Sequence, residues 1–147
     1  MPSPAFVLLE KMTDSHGVPL ADYYHCQPDN LLYVRWHGHL TGDTVVETFR
    51  QTLYWQRRLA PRQLLLDRSR TTGVWEEALP WIQFEWLPES VALRLEQVHC
   101  VLVGNPLDEH CCQEFVGIVE RRLPVHLFHS SHQALARLCR PMAQPMA

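Results

Sequence analysis

Between Leu31 and His37 apolar and polar positions alternate, with Leu32, Val34 and Trp36 on one face and Tyr33, Arg35 and His37 on the other. A period of two marks a strand with one apolar face. Residues 22–26 form a second such stretch, and Pro28-Asp29-Asn30 between them is turn chemistry that joins antiparallel strands into a hairpin. Upstream, the short apolar run at 6–9 reads as an edge strand, followed by a polar turn through Ser15, His16 and Gly17.

After Gly38 the period lengthens: Val45, Val46, Phe49 and Leu53 recur at helical spacing, and Thr44-Val45-Val46-Glu47 has the form of a capping box. The helix is expected to run to about Leu59, where Pro61 stops it. Leu64-Leu65-Leu66 is a continuous apolar run, as in a strand buried on both faces. Leu79, Ile82, Trp86 and Leu87 then fall at helical spacing, with Glu76 and Glu77 at the positive end of the dipole. Pro80 suits a first turn and Pro88 ends or kinks a helix, so the regular part is placed between them, with an irregular continuation over 90–95.

Residues 98–103 are a further apolar strand, closed by Gly104-Asn105-Pro106. Asp108 is expected to cap a third helix whose inner stripe is Cys112, Phe115, Val116 and Val119. Pro124 introduces a last strand at 125–128, and Ser130-Ser131-His132-Gln133 is a second capping box opening a short helix with Leu135, Leu138 and Cys139 inward. The tail 140–147 lacks periodicity and is expected to be mobile.

This order predicts an α/β fold: a mixed, mostly parallel sheet with an N-terminal antiparallel hairpin and about four helices. The chain divides into an edge segment (1–21), one domain (22–139) and the tail. At 147 residues and 46% hydrophobic, it has material for one core. A formal charge of −3 argues against nucleic acid as a partner, even though Lys11 is the lone lysine among 13 basic residues. No apolar run approaches the roughly 18 residues needed to cross a bilayer. Five cysteines without C-x-x-C spacing, and a start without a charged-then-apolar leader, predict a reduced, cytoplasmic setting.

Candidate chemistry gathers after the buried run, in Asp67-Arg68-Ser69-Arg70-Thr71-Thr72-Gly73. A phosphate on Ser69, Thr71 or Thr72 would meet free backbone N–H groups and the positive pole of the next helix, with Arg68 and Arg70 as charge-assisted donors. Glu76 and Glu77 oppose it, and ordinary helix capping also accounts for these hydroxyls. His37, His39, Asp67, Arg68, Arg70, Asn105, His129 and Ser130 fall at strand ends on one rim, where open sheets bind anions, metabolites or partners. Polar loops at a sheet end explain them equally.

His126, His129 and His132 do not keep one face through a change of period, so no metal or other cofactor is assigned. Cys111, preceded by His110, is a redox candidate, whereas Cys112 lies on the apolar stripe. Trp75, Trp81, Phe84 and Trp86 cannot all face one core, which predicts an interface or a ligand cleft. No triad spacing indicates catalysis.

The segments LLYVRWHGHLTGDTVVETFRQTL, LLLDRSRTTGV, WIQFEWLPES, VHCVLVG and VHLFHSSHQALARL, with Trp36, Gly38, Asp67, Trp81, Trp86 and Pro88, resemble the STAS/SpoIIAA-like proteins over 22–139. The resemblance is strongest to small bacterial STAS/SEC14 domains. It implies a SpoIIAA-like regulatory fold that binds a partner, with a phosphorylated helix-start serine as the switch in the anti-sigma-factor antagonists. Their Asp-Ser-Ser-Gly motif is absent here: Asp67 fits its strand-ending aspartate, and the acceptor stays open among Ser69, Thr71 and Thr72.

The expectation is therefore a non-enzymatic, homo-oligomeric module for a protein partner of anti-sigma-factor or signalling type. The alternative is a SEC14-like binder of a small hydrophobic ligand or lipid. An enclosed apolar cavity under 79–95 would favour the second, and a flat aromatic contact the first.

Overall fold

The computed structural model describes residues 6–102 and 106–138, so Gly104, Asn105, Cys139 and the tail lie outside the described residues. Among the described residues eight strands occur: β1 (Phe6–Thr13), β2 (Pro19–Cys26), β3 (Leu31–Trp36), β4 (Gly38–Leu40), β5 (Gln63–Asp67), β6 (Thr71–Gly73), β7 (Gln97–Val101) and β8 (Val125–Phe128). Six form one mixed sheet in the order β1-β2-β3-β5-β7-β8, and β4 pairs with β6 separately. The N-terminal three are antiparallel, whereas β3, β5, β7 and β8 run parallel.

The hairpin forms where the alternation places it, with Asn30 in the left-handed region at φ 46°. Asn30 also donates from Nδ2 to the Ala60 carbonyl at 3.0 Å, tying the hairpin to the end of the first helix. β2 begins at Pro19 rather than Asp22, so the division between residues 21 and 22 runs through a strand.

Helix α1 (Gly42–Leu59) starts earlier than its expected box: Thr41 is the N-cap and exchanges hydrogen bonds with Thr44. Thr44 thus supplies the third helical position of the box, not its cap. Ala60, left-handed at φ 45°, ends the helix just before Pro61.

Helical structure then runs over 76–92, as a 3-10 turn (Glu76–Ala78), α2 (Leu79–Trp81), a π turn (Ile82–Trp86) and α3 (Leu87–Ala92). The stretch expected to be most regular is the π turn, and the helix passes through Pro88. Proline lacks an N–H and its ring crowds the carbonyl four residues back. Widening the turn, so that Leu87 N–H donates to the Ile82 carbonyl, relieves that conflict.

Helices α4 (Pro106–Val119) and α5 (Ser131–Leu138) complete the set. At the start of α5, Ser130 Oγ accepts from Gln133 N–H at 3.0 Å, while the Gln133 side chain accepts from His129 N–H. Ala134 is its buried residue, with Leu135 and Leu138 packed beside it.

Leu64, Leu65 and Leu66 are 0%, 0% and 2% exposed, an interior rung as the apolar run predicts. Leu64 and Leu66 join the large core beneath α1, the helical segment 76–92 and α4, while Leu65 joins a smaller core with Tyr33, Phe128 and Ala134. In the large core Trp86 Nε1 donates to Gln56 Oε1 at 3.0 Å, and Gln56 Nε2 donates to Ser90 Oγ at 3.0 Å. This buried polar chain fixes α1 against the segment 76–92 while satisfying each group.

Candidate functional site

The alternation of β5 continues past its end and sets the site. Asp67 has the parity of Leu65 and points to the smaller core, where Tyr33 Oη donates to its Oδ2 at 2.6 Å. Its other oxygen accepts from Ser69 N–H at 2.9 Å and closes the turn. Burial and the Asp67 charge push the Tyr33 phenol up, so it stays a donor.

Arg68 has the parity of Leu64 and Leu66 and turns into the large core. Its Nη1 donates to the Asp108 carboxylate, with both side chains 5% exposed. The guanidinium also lies 5.0 Å from the centre of the Trp75 ring. Asp108 sits within the first turn of α4 and is a buried ion-pair partner, not the cap expected of it. Asp67 and Arg68 are thus interior anchors of the turn and not free surface groups.

Thr71 is also built in: it is 7% exposed and its Oγ1 donates to the Arg68 carbonyl at 2.8 Å. Of the three expected phosphate acceptors, Ser69 and Thr72 are exposed, together with Arg70. The turn does not lead straight into a helix. Residues 71–73 form β6 beside β4, pairing Gly38 with Thr71, His39 with Thr72 and Leu40 with Gly73. Gly73 is required there, because φ is 98° and a Cβ would lie 2.2 Å from the Leu40 carbonyl oxygen.

The ladder brings His39 Nδ1 to 3.1 Å from Thr72 Oγ1, uniting two of the expected site residues at the surface. His37 is drawn away, its Nε2 pairing with Asp22 Oδ2 at 2.8 Å. A phosphate on Thr72 would therefore lie beside His39 on a short strand, and not at the first turn of a helix.

The four aromatic candidates separate. Trp75 and Trp86 are buried at 3% and 0% exposure, with Trp86 edge-on to Phe49 and Trp75 edge-on to Phe115. Trp81 is half-buried, with the Arg50 guanidinium 5.4 Å from its ring centre. Phe84, on the π turn, is 68% exposed. Only the latter two are available to a partner.

Cys111 is fully buried and its thiol is pushed up by burial, which removes it as an accessible redox group. The unexpected pair is Cys100 with Cys112. A hydrogen bond from the Cys100 thiol lowers the Cys112 thiol, helped by Arg68, and raises Cys100 in turn. Both are core residues.

Among the described residues, Glu76, His110 and Glu114 bring ligand atoms within 4.8 Å of one another, close enough to share a cation. All three are exposed, and sequence spacing missed them because Glu76 comes from a different element. Solvated carboxylates gather in this way without any ion, so they define no metal centre.

Among the described residues, no helix is long and apolar enough to cross a membrane. No family model matches the chain, and no curated protein matches it. Among solved structures, an uncharacterised protein of the DUF3478 family with a SpoIIAA-like fold, from Shewanella loihica PV-4, is similar. It aligns at 19% identity and a TM-score of 0.45, over 95% of this chain and 99% of that one.

Proposed function

We propose that this chain is a non-enzymatic module that binds a protein partner through accessible residues of two segments: Phe84 and Trp81 on the helical segment, and Ser69, Arg70, Thr72 and His39 at the turn. The observation that carries the reading is the π turn at Ile82–Trp86, which buries Ile82 and Trp86 fully while leaving Phe84 68% exposed. A π turn inside a helix recurs at functional positions, and an exposed ring beside a guanidinium-capped tryptophan suits an interface anchor. Polar groups near the turn support a binding role over catalysis: Tyr33, Asp67, Arg68, Thr71 and Asp108 are committed to structural bonds.

The lipid-binding alternative has less support. The cavity bounded by Trp36, Phe49, Trp75 and Phe115 offers about 10 Å³ to the centre of a water-sized sphere, room for about one water. A lipid held beneath residues 79–95 would require that segment to lift away from α1, breaking the Gln56–Trp86–Ser90 chain.

The test compares wild type with Phe84→Glu in affinity capture from the cells that make the protein, alongside native mass of the purified chain. Loss of a stoichiometric protein, or of a dimer, on substitution supports the reading. A retained small molecule, with the same proteins captured by both forms, rejects it.

A further inference from the structure

The cavity between the turn and the core has an unusual wall. Trp36, Arg68 and Trp75 all line it, and each has one nitrogen buried without a hydrogen-bond partner: Trp36 Nε1, Arg68 Nη2 and Trp75 Nε1. These residues are 1%, 4% and 3% exposed. A buried donor without an acceptor costs on the order of 1–3 kcal/mol, so three around one void make an empty cavity expensive. The rest of the lining is Val45, Leu66, Phe49 and Phe115, with the thiols of Cys100 and Cys112.

The wall is thus rich in donors and poor in acceptors. A water placed there accepts two hydrogen bonds and must direct its own two hydrogens at hydrocarbon or at weakly accepting sulfur. A monatomic anion accepts from all three donors and has no hydrogens to place. The electrostatics also suit a negative guest. The Asp108 carboxylate is balanced both by Arg68 Nη1 and by the N-terminal end of α4, while Arg68 Nη2 and the two indole N–H groups of the cavity-lining residues have no acceptor.

We propose that this cavity is a binding site for a halide-sized anion such as chloride, held by Trp36 Nε1, Arg68 Nη2 and Trp75 Nε1. Its size, room for about one water, matches a single monatomic guest and excludes phosphate and sulfate. The site is independent of the partner reading, yet linked to it in space: Arg68 heads the turn, and Trp75 immediately precedes the segment carrying Phe84. Occupancy stiffens the joint between them.

The experiment is a thermal melt of the full chain in gluconate, titrated with chloride, bromide or sulfate at constant ionic strength, together with anomalous diffraction from bromide-soaked crystals. Expected are a saturable rise in melting midpoint with chloride and bromide but not with sulfate, and an anomalous peak between the two indoles. Trp75→Phe, which removes one donor but keeps a ring, should weaken the apparent halide affinity about tenfold, the loss of one charge-assisted hydrogen bond. Tyr54→Phe, at an exposed position of α1 outside the cavity, should leave it unchanged. The proposal is overturned if the halide effect is unsaturable or identical in Trp75→Phe, or if the cavity holds a water without anomalous signal in bromide.

Discussion

Arg68 and Asp108, forty residues apart in the chain, meet in the interior with only 5% of each side chain exposed. Their contact fixes the turn after β5 to the start of α4, so the rim of the sheet is held from beneath. Replacing Arg68 by Met leaves the Asp108 carboxylate buried without its guanidinium, and a loss of about 3–5 kcal/mol is expected. Adding Asp108→Leu should recover much of it. Urea unfolding of the two single variants and the double variant checks the coupling, and strictly additive losses would contradict it.

Placement of the hydroxyls predicts opposite outcomes for adjacent threonines. Thr71→Glu forces a charge into a site that is 7% exposed and breaks the bond to the Arg68 carbonyl, so a marked fall in melting midpoint is expected. Thr72→Glu lies at the surface and should change stability by no more than about 0.5 kcal/mol. Melting curves of the two variants decide it, and equal stability would place Thr71 at the surface.

Two aromatic residues two positions apart on the π turn should likewise differ. Trp86→Phe removes the indole donor to Gln56 Oε1 and should cost about 1–3 kcal/mol. Phe84→Ala should fall within about 0.5 kcal/mol of wild type, because its ring is largely in water. Denaturant midpoints at equal m-value separate the two.

On the opposite side of the sheet, His99 stacks on the His126 ring at 5.0 Å and is bonded through Nε2 to Gln63 Oε1 at 2.9 Å. Burial, and then the nearby His126 and Arg137, lower its pKa from 6.5 to about 4. The folded state therefore favours the neutral ring. Its contribution is complete above pH 6.5 and is lost as pH falls from there towards 4, where the unfolded chain binds the additional proton. Allowing for screening along the open groove that His99 lines, the loss is of the order of 1–2 kcal/mol. His99→Gln should flatten stability across that window, as followed by urea midpoints from pH 7 to 4.

The strand and helix order was legible because its signals are local: period two at 31–37, helical spacing from Val45, and an unbroken apolar run at 64–66. The same alternation, extended two residues, already aims Asp67 and Arg68 to opposite cores. β5 does end at Asp67, so the alternation persists one residue beyond the strand itself. Asp108 has no local mark separating a capping carboxylate from a buried partner, since its mate is forty residues away. The β4–β6 ladder, three residues on each side, is too short for periodicity to register. At Pro88 the usual rule that proline interrupts a helix gave way to a π turn, a backbone solution that side-chain spacing does not encode.

The surface proposed for a partner is tested most directly by a photoreactive phenylalanine analogue placed at position 84, at position 72, or at the exposed Ala136 of α5, which packs on the other face of the sheet, in the cells that make the protein. A single protein adduct from 84 and 72, with none from 136, is the predicted result. Adducts that are absent at 84, or indistinguishable from those at 136, would contradict it.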